Sequence, residues 1–300
     1  MYFQPMQEQV IVVTGANGQL GSEFRRLADQ FPQFSFVFAS KNDLDTTVES
    51  WIGKFLDLHK PAALINCAAY TNVERAEDEI ESAMLSNAVS PGFVAEACHQ
   101  QGALLIHIST DYVFNGNKKS AYVETDEPGP LNIYGESKLE GERRVDEKIE
   151  RYFTLRTSWL YSSFGHNFFK TMLRLAIEKG ELNVVKDQVA SPTYAGDLAK
   201  DILKLLDKVL VKREHVEYGL YHYTQDGVAS WFDFASEIIA QSGMSVPVYP
   251  VDSSRFPTKA IRPAFSKLDC SKWKNNTGFE MNNWQDGLKH CFVEYRQVQP

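Results

Sequence analysis

The sequence predicts an α/β fold: a doubly wound parallel sheet with helices on both faces, followed by a smaller C-terminal α/β lobe. Three observations predict it. Short β-branched or apolar runs alternate with helical stretches through the first half of the chain, the order that builds a parallel sheet. A glycine-rich turn directly follows the first apolar run, where such a sheet places a ligand loop. After Ser158 the alternation loosens, so the architecture changes there.

The elements follow in order. Residues 10–14 form a β-branched run, read as a buried strand. Residues 19–30 are helical, 34–39 a second strand, 48–59 a second helix and 63–66 a third strand. Residues 80–101 form a long helical stretch that Pro91 is expected to kink or divide. Residues 104–109 are a fourth strand, 135–149 a helix and 152–157 a fifth strand. Later, 167–178, 196–211 and 231–241 read as helices, and 219–223 and 247–251 as strands. There is no internal repeat and no polar linker, so the later elements are expected to pack on the first unit rather than hang from a tether.

With 300 residues and 43% hydrophobic content, the chain suits one large α/β domain or one domain plus a lobe. The formal charge of -8 argues against nucleic acid as a partner. A nucleotide ligand remains compatible, because helix ends and backbone amides hold phosphate locally. Cys67, Cys98, Cys270 and Cys291 form no CxxC pair, and read as reduced thiols of a cytoplasmic protein. No apolar run nears the roughly 20 residues of a membrane span, and residues 1–9 lack the basic-then-apolar pattern of a signal peptide.

The glycine turn, TGANGQLG at 14–21, spaces Gly15, Gly18 and Gly21 as GxxGxxG. Glycine lets the backbone turn and approach a pyrophosphate, and the following helix supplies amide donors and partial positive charge. The spacing matches the short-chain dehydrogenase type of dinucleotide loop in a Rossmann-type sheet. At the end of the second strand stand Ser40 and Lys41. No carboxylate is there to hold a ribose 2′-OH, whereas a hydroxyl and a cation suit a 2′-phosphate. NADPH is therefore favoured, with NADH as the alternative; a plain solvated strand end is the other reading of the two residues.

Tyr134 and Lys138 form a YxxxK. On a helix they share a face, and a neighbouring ammonium favours the phenolate of a tyrosine whose ordinary pKa is about 10. Such a tyrosine can pass a proton to or from a carbonyl oxygen. The fourth strand runs into Ser109-Thr110-Asp111. Ligands sit beyond the carboxyl ends of parallel strands, so Thr110 falls where its hydroxyl can meet a reacting carbonyl.

Taken together, TGANGQLG (14–21), INCAAYTNVERAE (65–77), ISTDYVFNG (108–116), PLNIYGESKLEGE (130–142), LRTSWLYSSFGHNF (155–168), DQVASPTY (187–194) and RPAFSKLD (262–269) span nearly the whole chain. In these segments it resembles the dTDP-4-dehydrorhamnose reductase family of extended short-chain dehydrogenases. The resemblance implies a catalytic set of Thr110, Tyr134 and Lys138. It implies a phosphate loop of Gly15, Asn17, Gly18, Gln19, Leu20 and Gly21, and cofactor contacts from Ser40, Lys41, Asp43, Leu44, Cys67, Ala68, Ala69, Tyr70 and Ser109. Thr110, Asp111, Trp159 and Arg262 are implied for a dTDP-sugar, Arg262 at its diphosphate. Trp159 as core, Asp43 as a helix cap and Arg262 as a surface residue are the competing readings. Residues 8–158 are then the NAD(P)-binding domain, and 159–300 mainly a substrate-binding lobe interleaved with it. Some family members are dimers held partly by Mg2+ on three glutamates. Glu23 and Glu294 match two positions, but the third falls at Gly196 beside Asp197. The lost oxygen ligand weakens the site, so no metal is expected, and the chain is read as a monomer or a homodimer.

Two rival functions remain open. Dehydratases of this superfamily carry a carboxylate pair after the threonine; here Tyr112 follows Asp111. Epimerases share the tyrosine and lysine and differ in recycling bound NAD+. A non-catalytic regulatory subunit of the same fold would have no need of a positioned phenol and ammonium.

Overall fold

The computed structural model describes residues 9–298. The leader reading of the N-terminus and the first residue of the expected NAD(P) domain lie outside the described residues. The chain runs β1 (Gln9–Thr14), α1 (Gln19–Leu27), β2 (Phe34–Ala39), α2 (Glu49–His59), β3 (Ala63–Asn66), α3 (Val73–Ala76), α4 (Ile80–Met84), α5 (Ser90–Gln101), β4 (Leu104–Thr110), α6 (Ile133–Lys148) and β5 (Tyr152–Thr157). It continues with β6 (Leu160–Tyr161), α7 (Phe168–Lys179), β7 (Leu182–Val185), β8 (Val189–Ala190), β9 (Thr193–Tyr194), α8 (Ala195–Leu206), β10 (Gly219–His222), β11 (Ala229–Ser230), α9 (Trp231–Ser242), β12 (Val248–Val251), α10 (Ser271–Thr277) and α11 (Trp284–Val298).

Six strands make one parallel sheet in the order β10-β5-β4-β3-β1-β2. Side chains alternate across a strand, and β1 shows it: Ile11 and Val13 enter the core shared with α1 and α8, while Val12 enters the core shared with α2 and α5. All three are fully buried. Burial on both faces is what a parallel sheet requires, and each such side chain contributes about 1.5–3 kcal/mol. β10 and α8 come from beyond Ser158, yet β10 pairs with β5 and α8 packs into the α1 face. The remaining late elements build a second core around Tyr161, Phe169, Phe234 and Trp284, edged by the short pairs β6–β9, β7–β12 and β8–β11.

The expected helix over 80–101 is helical throughout, but its irregularity precedes Pro91. Residues Leu85–Val89 form a π-turn, and Pro91 occupies the first turn of α5, where a missing N–H is tolerated. The turn aims the buried Asn87 side chain at Tyr70 and Ser137. α10 and α11 lie where no element was expected. In α11, Trp284, Leu288, Cys291 and Phe292 fall on one face and are buried. No helix among the described residues is long and apolar enough to cross a membrane.

Candidate active site

A cleft of about 1020 Å³ lies along the carboxyl ends of β1, β3, β4 and β5. It is bordered by the glycine loop on one side and by residues of the late lobe, including Trp159, Phe168 and Trp231, on the other. Gly15 has φ +61, and a Cβ there would come 2.7 Å from the Cys67 carbonyl carbon. Only glycine lets β1 turn this close to β3. α1 begins after Gly18, which carries no side-chain cap, so the first-turn amides remain available to an anion. The Thr14 hydroxyl donates to Asn66 Oδ1 at 2.7 Å and ties the two strand ends together.

Gly15, Asn17, Gly18, Gln19, Leu20, Gly21, Ser40, Lys41, Leu44, Cys67, Ala68, Ala69, Tyr70 and Ser109 all line the cleft. Asp43 does not. Its carboxylate accepts from the Ser40 amide at 2.9 Å and the Ser40 hydroxyl at 2.6 Å, bonds that hold it below the ordinary carboxylate range. It fixes the turn that presents Ser40. Asn42, Asp45, Thr46 and Thr47 line the same end and carry no motif that marks them in the sequence.

α6 carries the phenol and the ammonium. Asn132 caps it, accepting from the Gly135 amide at 2.8 Å. A Cβ at Gly135 would lie 2.2 Å from the Tyr112 carbonyl, so glycine is what lets the helix start against the turn after β4. This brings Tyr134 onto the cleft beside Thr110 and sets its ring edge-on to Tyr112, centroids 5.8 Å apart. Burial pushes the Tyr134 phenol up to about 12; the Thr110 hydrogen bond opposes this. Thr110 donates to Asp111 Oδ1 at 3.2 Å and accepts from the Tyr112 amide at 3.2 Å. Asp111, 1% exposed, also accepts from the Ser266 hydroxyl. Burial pushes its carboxyl up to about 7, against the hydrogen bonds from Ser266 and Thr110. Lys138, one helical turn from Tyr134, donates to the Ile108 carbonyl at 2.6 Å. Burial pulls it down to about 8, with Glu142 opposing.

Trp159 lines the cleft with a left-handed backbone, φ +46, rare for so bulky a residue. Its indole stacks on that of Trp231, and Phe168 leans on Trp231 with centroids 4.5 Å apart. Sequence reasoning did not single out Trp231, Phe168, His166 or Asn167. The LYSSFGHNF segment was the one available signal for the last three. Arg262 does not line the cleft: its guanidinium pairs with Glu74 at 2.6 Å. At the matched metal positions, Glu23 is fully buried and accepts from Ser162 Oγ at 2.6 Å and Arg26 Nε at 2.8 Å. Arg26 also pairs with Glu294 at 3.0 Å. Asp197 turns to Gln225 and Asn282 instead. A guanidinium between two carboxylates is a donor set that does not fit a hard dication.

A family model described as the RmlD substrate binding domain matches residues 9–297. A dTDP-4-dehydrorhamnose reductase of Aggregatibacter actinomycetemcomitans is 40% identical over 286 residues, covering 93% of this chain and 97% of that protein. The crystal structure of a Bacillus anthracis dTDP-4-dehydrorhamnose reductase in complex with NADP superposes with a TM-score of 0.91 at 40% identity, covering 96% of this chain and 100% of that one. The UDP-glucose 4-epimerase of Thermus thermophilus, at 16% identity and a TM-score of 0.78, shares the fold. With a match along nearly its whole length, the chain belongs to the dTDP-4-dehydrorhamnose reductase family.

Proposed function

We propose that the chain reduces the C4 keto group of dTDP-4-dehydro-β-L-rhamnose to give dTDP-L-rhamnose, at the expense of NADPH. The observation that carries this reading is that Thr110, Tyr134 and Lys138 line one cleft together, with Lys138 one turn along the same helix as Tyr134. The crowded, φ-positive turn at Gly15 and the uncapped start of α1 suit a pyrophosphate, and Ser40 with Lys41 suits a 2′-phosphate. NADPH held there supplies the hydride. Tyr134 donates its proton to the sugar O4, Thr110 holds that oxygen by its hydroxyl, and Lys138 binds ribose hydroxyls and favours the phenolate left behind. The two aromatic rings of Trp159 and Trp231 form the wall for the sugar nucleotide. Residues up to Ser158 form the cofactor-binding domain, which also carries Thr110, Tyr134 and Lys138, and the lobe beyond serves mainly the substrate.

The test is NADPH oxidation with dTDP-4-dehydro-6-deoxy-L-mannose, with UDP and GDP sugars as controls. Stoichiometric consumption of NADPH is expected. Conversion without net consumption would mark an epimerase. In Tyr134→Phe the cofactor still binds and turnover falls about 10²–10⁴-fold, the loss typical of a general acid; unchanged turnover removes Tyr134 from the mechanism.

A further inference from the structure

α6 carries a third polar group on the face of Tyr134 and Lys138. Glu142 follows at the next i, i+4 step and is 7% exposed. It accepts from the Ser109 hydroxyl and from Arg156 of β5 at 2.9 Å through Nε and 2.6 Å through Nη2. Ser109 and Arg156 are cross-strand partners, so the carboxylate sits over the junction of β4 and β5 just below the catalytic turn. Such a pair is costly to bury, and well-packed apolar residues in its place are often as stable or more so. Packing alone does not account for it.

The surroundings of Lys138 supply a reason. Its ammonium contacts a neutral acceptor, the Ile108 carbonyl. From the end of β3 it faces Cys67, whose thiol burial keeps protonated. From β4 it faces His107, whose ring burial keeps neutral. Tyr134 on its own helix is a neutral phenol, and Asp111 acts on Tyr134. Glu142, on the helix face of Lys138, opposes the effect of desolvation on the ammonium, and Arg156 from β5 pairs with its carboxylate. We propose that the buried Glu142–Arg156 pair is a positioning device for the reaction: it holds the charge on Lys138 so that the lysine can serve both Tyr134 and the cofactor ribose. This rests on the reading of Tyr134 and Lys138 given above.

The experiment compares wild type, Glu142→Gln and the double variant Glu142→Gln/Arg156→Met. NADPH affinity is followed by nicotinamide fluorescence, and turnover by NADPH oxidation, from neutral to alkaline pH. Thermal unfolding is measured alongside. In the single variant the alkaline midpoint of both profiles is expected to fall by about one pH unit. The double variant recovers thermal stability, because no unpaired charge remains, yet keeps the lowered midpoint. If Glu142→Gln does not fold, the double variant alone reads the midpoint. A double variant that regains stability and the wild-type midpoint together overturns the proposal and leaves the pair as a tie between α6 and β5. A midpoint unmoved in either variant overturns it too. An active Tyr134→Phe would instead overturn the underlying mechanism, so the two failures are distinguishable.

Discussion

The indole of Trp159 lies flat on the indole of Trp231, centroids 3.5 Å apart and planes 7° from parallel. Trp159 holds φ +46 to make this contact, a conformation that costs about 1–3 kcal/mol and persists only where its surroundings enforce it. Trp231 is itself fixed, at the start of α9 behind the Ser230–Asp233 capping box and by its ring N–H to Gln188 at 3.2 Å. The pair is therefore a prepared surface. Trp231→Ala is expected to raise KM for the sugar nucleotide about tenfold, the scale of one lost aromatic contact, with kcat changed little. Steady-state kinetics checks this; an equal fall in kcat and kcat/KM would place Trp231 at the reacting centre instead.

Gly15→Ala puts a methyl group 2.7 Å from the Cys67 carbonyl carbon at φ +61. The loop must move outward, away from any bound pyrophosphate. NADPH affinity is expected to fall at least about tenfold, with a modest loss of Tm from the strained residue, of order 1 kcal/mol. Fluorescence titration reads the affinity; a normal Kd would mean that the loop does not bear on the cofactor.

The central sheet was legible because each of its first five strands is an apolar run flanked by helical periodicity, and two buried faces demand that pattern. The place of Gly15, Tyr134 and Lys138 on the cleft was legible because loop and helix geometry fix their spacing. α11 was legible too and went unread: Trp284, Leu288, Cys291, Phe292 and Tyr295 are spaced for one helical face. The lobe strands β6, β8, β9 and β11 have two residues each, too few to show alternation. Trp231 against Trp159, Arg262 against Glu74 and Arg156 against Glu142 depend on tertiary packing, which no local spacing encodes.

Asp111 makes stability depend on pH. Its carboxyl stands at about 7 in the fold against an ordinary value of 3.8, so the folded state binds the extra proton between those values. Stability from this group is full below about pH 4 and is lost as pH rises towards 7. Asp111→Asn keeps an acceptor for Ser266 and cannot ionise. Its Tm relative to wild type is expected to rise from acid to pH 8, by the equivalent of about 4 kcal/mol. Thermal melts across this range check it; a difference independent of pH would show that Asp111 does not titrate there.

Arg26 stands between Glu23 and Glu294 where some relatives of this family were expected to place Mg2+. Glu23 is fully buried, and burial raises its pKa against the bonds from Ser162 and Arg26. The guanidinium thus supplies the positive charge that this carboxylate needs. Arg26→Ala leaves Glu23 with the Ser162 hydroxyl alone and is expected to cost about 3 kcal/mol, more at alkaline than at acid pH, because protonating Glu23 relieves the unpaired charge. EDTA is expected to leave the Tm of the wild type unchanged, and Mg2+ is expected not to rescue Arg26→Ala, since two carboxylates and a hydroxyl are a poor set for it. A wild-type Tm that falls with EDTA and returns with Mg2+ would show that a metal, not Arg26, balances these glutamates.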